Sequence, residues 1–241
     1  RPDRLNAVSL PMYERLHAEL SASALDRALR CIVLTGQGRA FCVGADLKAH
    51  GEGPPTGEER RRYVRNAQEV NRLLQMGPKP VVAAVNGHAI GGGLEMALSS
   101  DFMVVAEEAK LRFPEIGLGT FVGGGTVYTL AERVGTLKAR ELILLGDFFL
   151  GREAAAVGVA WKAVPADQVL EEAMALAFRL AEKAPLSLAW AKKLIGPAGA
   201  MPREEALRLE AEALEQIFGT RDWKEGVQAF AERRAPRFTG E

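Results

Sequence analysis

The stretch Pro80 to Asp101, PVVAAVNGHAIGGGLEMALSSD, constrains this chain more than any other. Val81 to Val85 is an unbroken apolar run rich in β-branched residues, the pattern of a short strand buried on both faces. Asn86 and Gly87 end it. Gly91, Gly92 and Gly93 follow, where missing Cβ atoms let a ligand approach the backbone closely. Leu94 to Leu98 is helix-forming, so the glycines are expected at a helix N-terminus, with free N–H groups and the positive end of the dipole. That arrangement suits a negatively charged oxygen, and Glu95 stands in the first turn beside it. The same residues also fit an ordinary strand, turn and helix with a solvated acid. A dinucleotide fold competes less well, because the G-x-G-x-x-G spacing is not met between Gly87 and Gly93.

The surrounding sequence reads as alternating strands and helices. Ser9 is the expected N-cap of a helix carrying the stripe Met12, Leu16 and Leu20, and Arg30 to Thr35 reads as a buried strand. Glu58 to Met76 is a charged helix with Tyr63, Ala67, Val70 and Leu74 on one face, and Asp101 to Ala106 is another buried strand. Lys110 to Phe113 reads as a short strand ending at Pro114-Glu115, and helix follows a second glycine cluster, Gly117 to Gly125, over Val127 to Arg133. Helices then dominate, with a strand-like interruption at Val159 to Val164. Such alternation argues for parallel strands joined by helical crossovers. Gly51 to Gly57 is expected to be a surface loop. Arg203 to Phe218 and Asp222 to Arg233 are amphipathic helices without a strand partner, so Leu207, Leu214, Ile217 and Phe230 need cover from the core or a neighbouring subunit.

Composition excludes several function classes. Lys plus Arg and Asp plus Glu are 31 each, so the formal net charge is +0 and nothing favours nucleic acid or an anionic membrane surface. Two cysteines, Cys31 and Cys42, do not make a disulfide framework and fit a reducing, cytoplasmic compartment. No apolar run approaches the roughly 18 to 20 residues of a membrane span. His17, His50 and His88 lack ligand spacing, and no metal site is expected.

Three loops carry the chemistry: Phe41-Cys-Val-Gly-Ala-Asp46, Gly91-Gly-Gly-Leu-Glu95 and Phe113-Pro-Glu-Ile-Gly-Leu-Gly119. In this order and spacing they resemble the crotonase family of enoyl-CoA hydratases and isomerases. The resemblance runs from RPDRLNA at the start to AFAERRAPRF near the end. It implies an α/β fold, a spiral of ββα turns over about residues 1–182 that binds acyl-CoA, with a helical region over 183–241 that packs subunits into homotrimers or paired-trimer hexamers. It also implies a β-hairpin ahead of RPDRLNA, which this sequence does not contain.

The resemblance further implies enzymatic addition of water to a trans-2-enoyl-CoA, as in β-oxidation of fatty acids, with coenzyme A as part of the substrate and no separate cofactor. Two backbone N–H groups, matching Ala45 and Gly92, would hold the enolate oxygen. Fixed donors aimed at developing charge need no reorganisation, and losing one typically costs roughly 10²- to 10³-fold in rate. Glu95 is implied as the base that activates water, Glu115 as the acid toward Cα, and Gly123 as a backbone partner of the water. Two carboxylates suit a reaction that takes one proton and gives another. Arg4, Asp46 and Lys48, with Ala45 and Gly92, match positions near the acyl-CoA.

One departure from the family pattern is Phe121 with Val122-Gly-Gly-Gly-Thr126, where relatives often read Pro-Gly-Ala-Gly-Gly-Thr; it bears on acyl-chain length and shape. An enoyl-CoA isomerase, another acyl-CoA lyase or hydrolase, and a non-catalytic acyl-CoA- or RNA-binding homologue stay open at this point.

Overall fold

The computed structural model describes residues 1–47, 56–196 and 200–241. Eight strands are seen among them: β1 (Ile32–Thr35), β2 (Ala40–Cys42), β3 (Val81–Val85), β4 (His88–Ile90), β5 (Phe102–Ala106), β6 (Lys110–Arg112), β7 (Phe149–Leu150) and β8 (Lys162–Val164). They form two sheets, ordered β1-β3-β5-β8 and β2-β4-β6-β7. The first is parallel throughout, with Ile32 paired to Val81, Ala83 to Met103 and Val104 to Lys162. In the second, β2, β4 and β6 run parallel and β7 closes the edge antiparallel to β6. From β1 to β6 consecutive strands therefore alternate between sheets, and after each such pair a helix leads the chain onward. This is the spiral of ββα turns.

The first sheet follows from composition. All five residues of β3 are buried, as are Met103 to Ala106 of β5, so neither strand can offer a face to water. A parallel sheet of this kind must be covered, and the helix Val169–Ala181 lies against β1, β3 and β5 with Val169, Ala173, Leu176 and Ala177 inward. We number the helices in chain order: α1 (Leu10–Leu25), α2 (Gly57–Met76), α3 (Gly92–Leu98), α4 (Thr126–Arg140), α5 (Gly151–Ala156), α6 (Val169–Ala181), α7 (Pro185–Ile195), α8 (Arg203–Phe218) and α9 (Arg221–Glu232). Helix α1 packs on α2. Helix α2 starts with a capping box in which Thr56 and Glu59 satisfy each other's backbone N–H groups.

Several boundaries differ from expectation. β2, β4 and β7 are strands that no run in the sequence announces. Helix α3 begins at Gly92 rather than Leu94, and α4 extends beyond Arg133 to Arg140 through a break at Gly135. Most of the expected surface loop Gly51 to Gly57, together with Lys48 and His50, lies outside the described residues.

Helix α7 is tied to the core by one lysine. Lys192 Nζ donates to Leu74 O (2.7 Å), Lys79 O (2.9 Å) and Asp101 Oδ2 (2.7 Å), and the same carboxylate oxygen accepts from Val81 N. Helices α8 and α9 continue outward and leave Leu207, Leu214 and Phe230 exposed, the last at 87%. Within this single chain the core does not cover them.

Candidate active site

The ends of β2, β4 and β6 in the second sheet carry the three loops to one place. After β4, Gly91 N–H donates to Arg112 O at the end of β6 (2.9 Å), and the chain turns at Gly91 with φ 50° and ψ −127°. That backbone geometry suits glycine alone. Helix α3 then starts at once, and from Gly93 to Leu98 it is buried on every side. A helix with no solvated face beyond its half-buried first residue keeps its free N–H groups less screened than they would be in water.

The loop after β2 is pressed against this helix start. A Cβ on Gly44 would stand 2.8 Å from Ile90 O and 3.2 Å from Gly92 N, so only glycine permits the approach. Ala45 follows directly. Its neighbours are taken up by a bridge to the opening segment, with Val8 N donating to Gly44 O (2.7 Å) and Asp46 N to Val8 O (3.2 Å). In such a parallel bridge the Ala45 N–H faces the other way. Among the described residues neither Ala45 N nor Gly92 N donates to a protein acceptor. Two N–H groups from converging loops are thus left available for an outside oxygen.

Glu95 and Glu115 flank the same place, and both are buried (7% and 8% exposed). Glu95 comes from the first turn of α3. Its Oε1 accepts from Gly123 N (2.8 Å), and a Cβ on Gly123 would lie 3.3 Å from its Oε2. Burial pushes the Glu95 carboxyl up to about 7; the Gly123 hydrogen bond pulls it down and the nearby Glu115 pushes it further up. Glu115 follows buried Phe113 at the end of β6 and opens a short 3-10 turn, Ile116–Leu118. Its Oε1 is so close to Gly91 that a Cβ there would stand 2.6 Å away. Burial raises its pKa too, against the opposing effects of its own N–H and of Arg112. Glu115 Oε2 is buried without a hydrogen-bond partner. Such an orphan oxygen is costly in a folded protein unless a bound molecule meets it.

The other predicted site residues spread more widely. Asp46 is buried and its Oδ2 pairs with Arg1 Nη2 (2.6 Å), which pins the opening segment to the Ala45 loop. Arg4 is exposed on the turn Pro2–Arg4. Lys48 lies outside the described residues. Cys42 is buried, and burial pushes its thiol up to about 11, well away from a thiolate nucleophile. No group of three metal-ligating side chains occurs among the described residues, and none of their helices is long and apolar enough to cross a membrane.

Three further features border the site; the sequence marks Tyr63 among them, as a helix-face residue, and Phe121 and Val122, as a departure from the family pattern. Tyr13 of α1, 2% exposed, brings its hydroxyl to within 3.0 Å of where a Cβ on Gly92 would be, and packs edge-on against Tyr63 of α2 with ring centroids 5.3 Å apart. Burial raises both phenols, Tyr63 to about 12, so both stay protonated. Beyond Gly123 a groove of about 590 Å³ runs between α2 and α4, lined by Gln68, Phe121, Val122, Thr126 and Val127. Finally, Asn71, Gln75 and Ser99 form a polar network behind Gly124.

A buried helix start, two unsatisfied backbone donors and two carboxyl groups of raised pKa make a site for a carbonyl oxygen that gains charge while protons move on either side of it. Comparison with known proteins identifies the family. The family model described as enoyl-CoA hydratase/isomerase matches residues 1–241. A Bacillus subtilis protein named "probable enoyl-CoA hydratase" is 38% identical over 237 residues, spanning 98% of this chain and 92% of the relative. The mitochondrial enoyl-CoA hydratase of Pongo abelii is 34% identical over 238 residues, 99% of this chain and 81% of its own. The crystal structure of enoyl-CoA hydratase from Bacillus anthracis superposes with a TM-score of 0.95 at 34% identity, covering 100% of this chain and 93% of that one. With fold and sequence similarity in agreement, this chain belongs to the enoyl-CoA hydratase/isomerase family, the crotonases.

Proposed function

We propose that this protein adds water reversibly across the double bond of a trans-2-enoyl-CoA to give the 3-hydroxyacyl-CoA. The observation that carries this reading is the pair of buried carboxyl groups with different partners: Glu95 Oε1 held by Gly123 N–H, and Glu115 Oε2 left without one. A carboxylate that accepts a backbone N–H is poised as a base. A buried carboxyl whose second oxygen is unpartnered is poised to carry a proton to substrate.

In this mechanism the thioester oxygen lies between the N–H groups of Ala45 and Gly92. Glu95 takes a proton from water as the water oxygen bonds to the β-carbon. The electron pair of the double bond moves toward the thioester, and the enolate oxygen is held by the two donors. Glu115 then gives its proton to the α-carbon, and solvent restores the two carboxyl groups to their starting states. Backbone donors and carboxyl groups suffice for every step, so no cofactor beyond the substrate's own coenzyme A is required. The acyl chain follows the groove past Gly123, whose apolar wall of Phe121, Val122 and Val127 suits hydrocarbon. Arg4 and Lys48 are the cations assigned to the CoA phosphates. Asp46 contributes by keeping Ala45 in place through Arg1.

The exposed apolar residues of α8 and α9 support assembly into a homotrimer or hexamer, and free thiols at Cys31 and Cys42 fit a cytoplasmic location. The test of function is loss of the conjugated thioester absorbance of crotonyl-CoA. The wild type should turn over quickly, and Glu95→Gln and Glu115→Gln should each lose at least about 10²-fold in kcat. A folded, CoA-binding wild type that leaves crotonyl-CoA and longer enoyl thioesters unchanged would overturn the proposal.

A further inference from the structure

We infer that Asn71, Gln75 and Ser99 are positioning residues for Glu95, holding the Gly123 N–H against its carboxylate. Each belongs to a different part of one closed circuit. Ser99 caps the end of α3, one turn beyond Glu95, and its N–H donates to Glu95 O (2.9 Å). Its hydroxyl donates to Asn71 Oδ1 (2.8 Å) and accepts from Gln75 Nε2 (2.9 Å). The same Gln75 amide donates its other hydrogen to Gly124 O (2.7 Å), and Asn71 Nδ2 is held by Ala67 O within its own helix (2.9 Å). Gly124 rests on the Asn71 amide so closely that a Cβ there would stand 2.6 Å from Asn71 Cγ and Nδ2.

The circuit closes behind the catalytic contact. One end fixes the helix that carries Glu95, and the other fixes the carbonyl of Gly124, the residue after Gly123. Asn71 and Ser99 are 1% and 3% exposed. A buried network with complementary donors and acceptors specifies one geometry, because any shift strands a polar group. A glycine loop has no side chain to do this for itself. None of the three residues lines the groove past Gly123, so their effect passes through Gly123 itself.

This inference rests on Glu95 being the base, and its test keeps the two apart. Glutamate carboxyl carbons are labelled with ¹³C, the Glu95 signal is assigned by its absence in Glu95→Gln, and its titration is followed in the wild type, Gln75→Met and Ser99→Ala. Gln75 is half-buried and methionine matches its shape, so that variant keeps the fold even if Ser99→Ala does not. A hydrogen bond to the charged form lowers a pKa, so loosening the Gly123 N–H raises it. The other titratable groups facing Glu95 are Glu115, Tyr13 and Tyr63, with Arg112 acting through Glu115, and none is altered.

The expected result in Gln75→Met is a Glu95 titration about half a unit to one unit higher, with kcat at pH 7 about two- to fivefold lower and KM within twofold. An unmoved titration in Gln75→Met overturns the positioning role, as does a loss of activity that tracks only a lower melting temperature. A titration that rises while hydration is absent in wild type and variants alike keeps the positioning role and refutes the hydratase reading instead.

Discussion

Gly91→Ala tests the geometry of the site at its tightest point. The alanine would have to hold φ near 50° with ψ near −127°, a combination that costs about 1–3 kcal/mol for a residue with a side chain. Its Cβ would also stand 2.6 Å from Glu115 Oε1 and 3.7 Å from both Glu115 Cδ and Pro114 Cδ. Real Cβ atoms essentially never come within 3.0 Å of another heavy atom, so the carboxyl must retreat by about half an ångström or swing away. Misplacement on the scale of 1 Å costs on the order of 10²-fold in a step that depends on alignment. We therefore expect kcat for enoyl-CoA hydration to fall by about 30- to 100-fold, with KM changed less than threefold and the melting temperature lower by a few degrees. Steady-state kinetics with crotonyl-CoA and a thermal melt measure all three. Gly117→Ala is the control, since nothing lies within 4 Å of its Cβ position, and it should be neutral. Turnover of Gly91→Ala near wild type, or a defect confined to KM, would refute the placement of Glu115 beside Gly91.

Further predictions follow from charge and burial. Because Glu95 must be ionised to take a proton and burial pushes its carboxyl up to about 7, kcat/KM should fall below about pH 7 in a pH–rate profile; Glu115, also raised by burial, must be protonated, so activity should fall again as pH rises through its titration. A carboxyl whose folded pKa is raised stabilises the fold fully below its unfolded pKa and loses that contribution as pH rises through its folded value. Glu95→Gln should therefore gain about 1–3 kcal/mol at pH 8 over wild type and lose that advantage near pH 4, as read by urea denaturation at both pH values. Lys192→Met leaves Asp101 and two carbonyls without their buried cation and should cost about 3–5 kcal/mol in the same measurement. Sedimentation should return a mass of three or six 26.0 kDa chains, and Phe230→Asp should weaken that assembly.

The first sheet was legible because burial on both faces writes its own signature. Val81 to Val85 and Phe102 to Ala106 are apolar without alternation, short and rich in β-branched residues, which suits a covered parallel sheet. Of the second sheet, which carries the site, only β6 was legible, as the short strand read at Lys110 to Phe113. Ala40–Cys42 and His88–Ile90 are three residues each, too short for a period to show, and glycines flank both. The stripe Met12, Leu16 and Leu20 identified α1, yet its most deeply buried residue is Tyr13, which a tyrosine's polar tip disguises until Tyr63 is seen beside it. Glu95 could be singled out from the helix start alone. Glu115 could not, since an acid after proline reads as a solvated turn; only the resemblance pointed to it. Asn71, Gln75 and Ser99 are ordinary helix and cap residues in sequence, and their partnership exists only across the folded chain.

The most direct test of the central claim is to incubate the protein with a trans-2-enoyl-CoA in H₂¹⁸O and determine the product by mass spectrometry. The expected product is a 3-hydroxyacyl-CoA carrying one heavy oxygen on its acyl chain, formed by the wild type and lost in Glu95→Gln. A shifted enoyl-CoA without added oxygen, or free coenzyme A with the label in a released carboxylate, would contradict it.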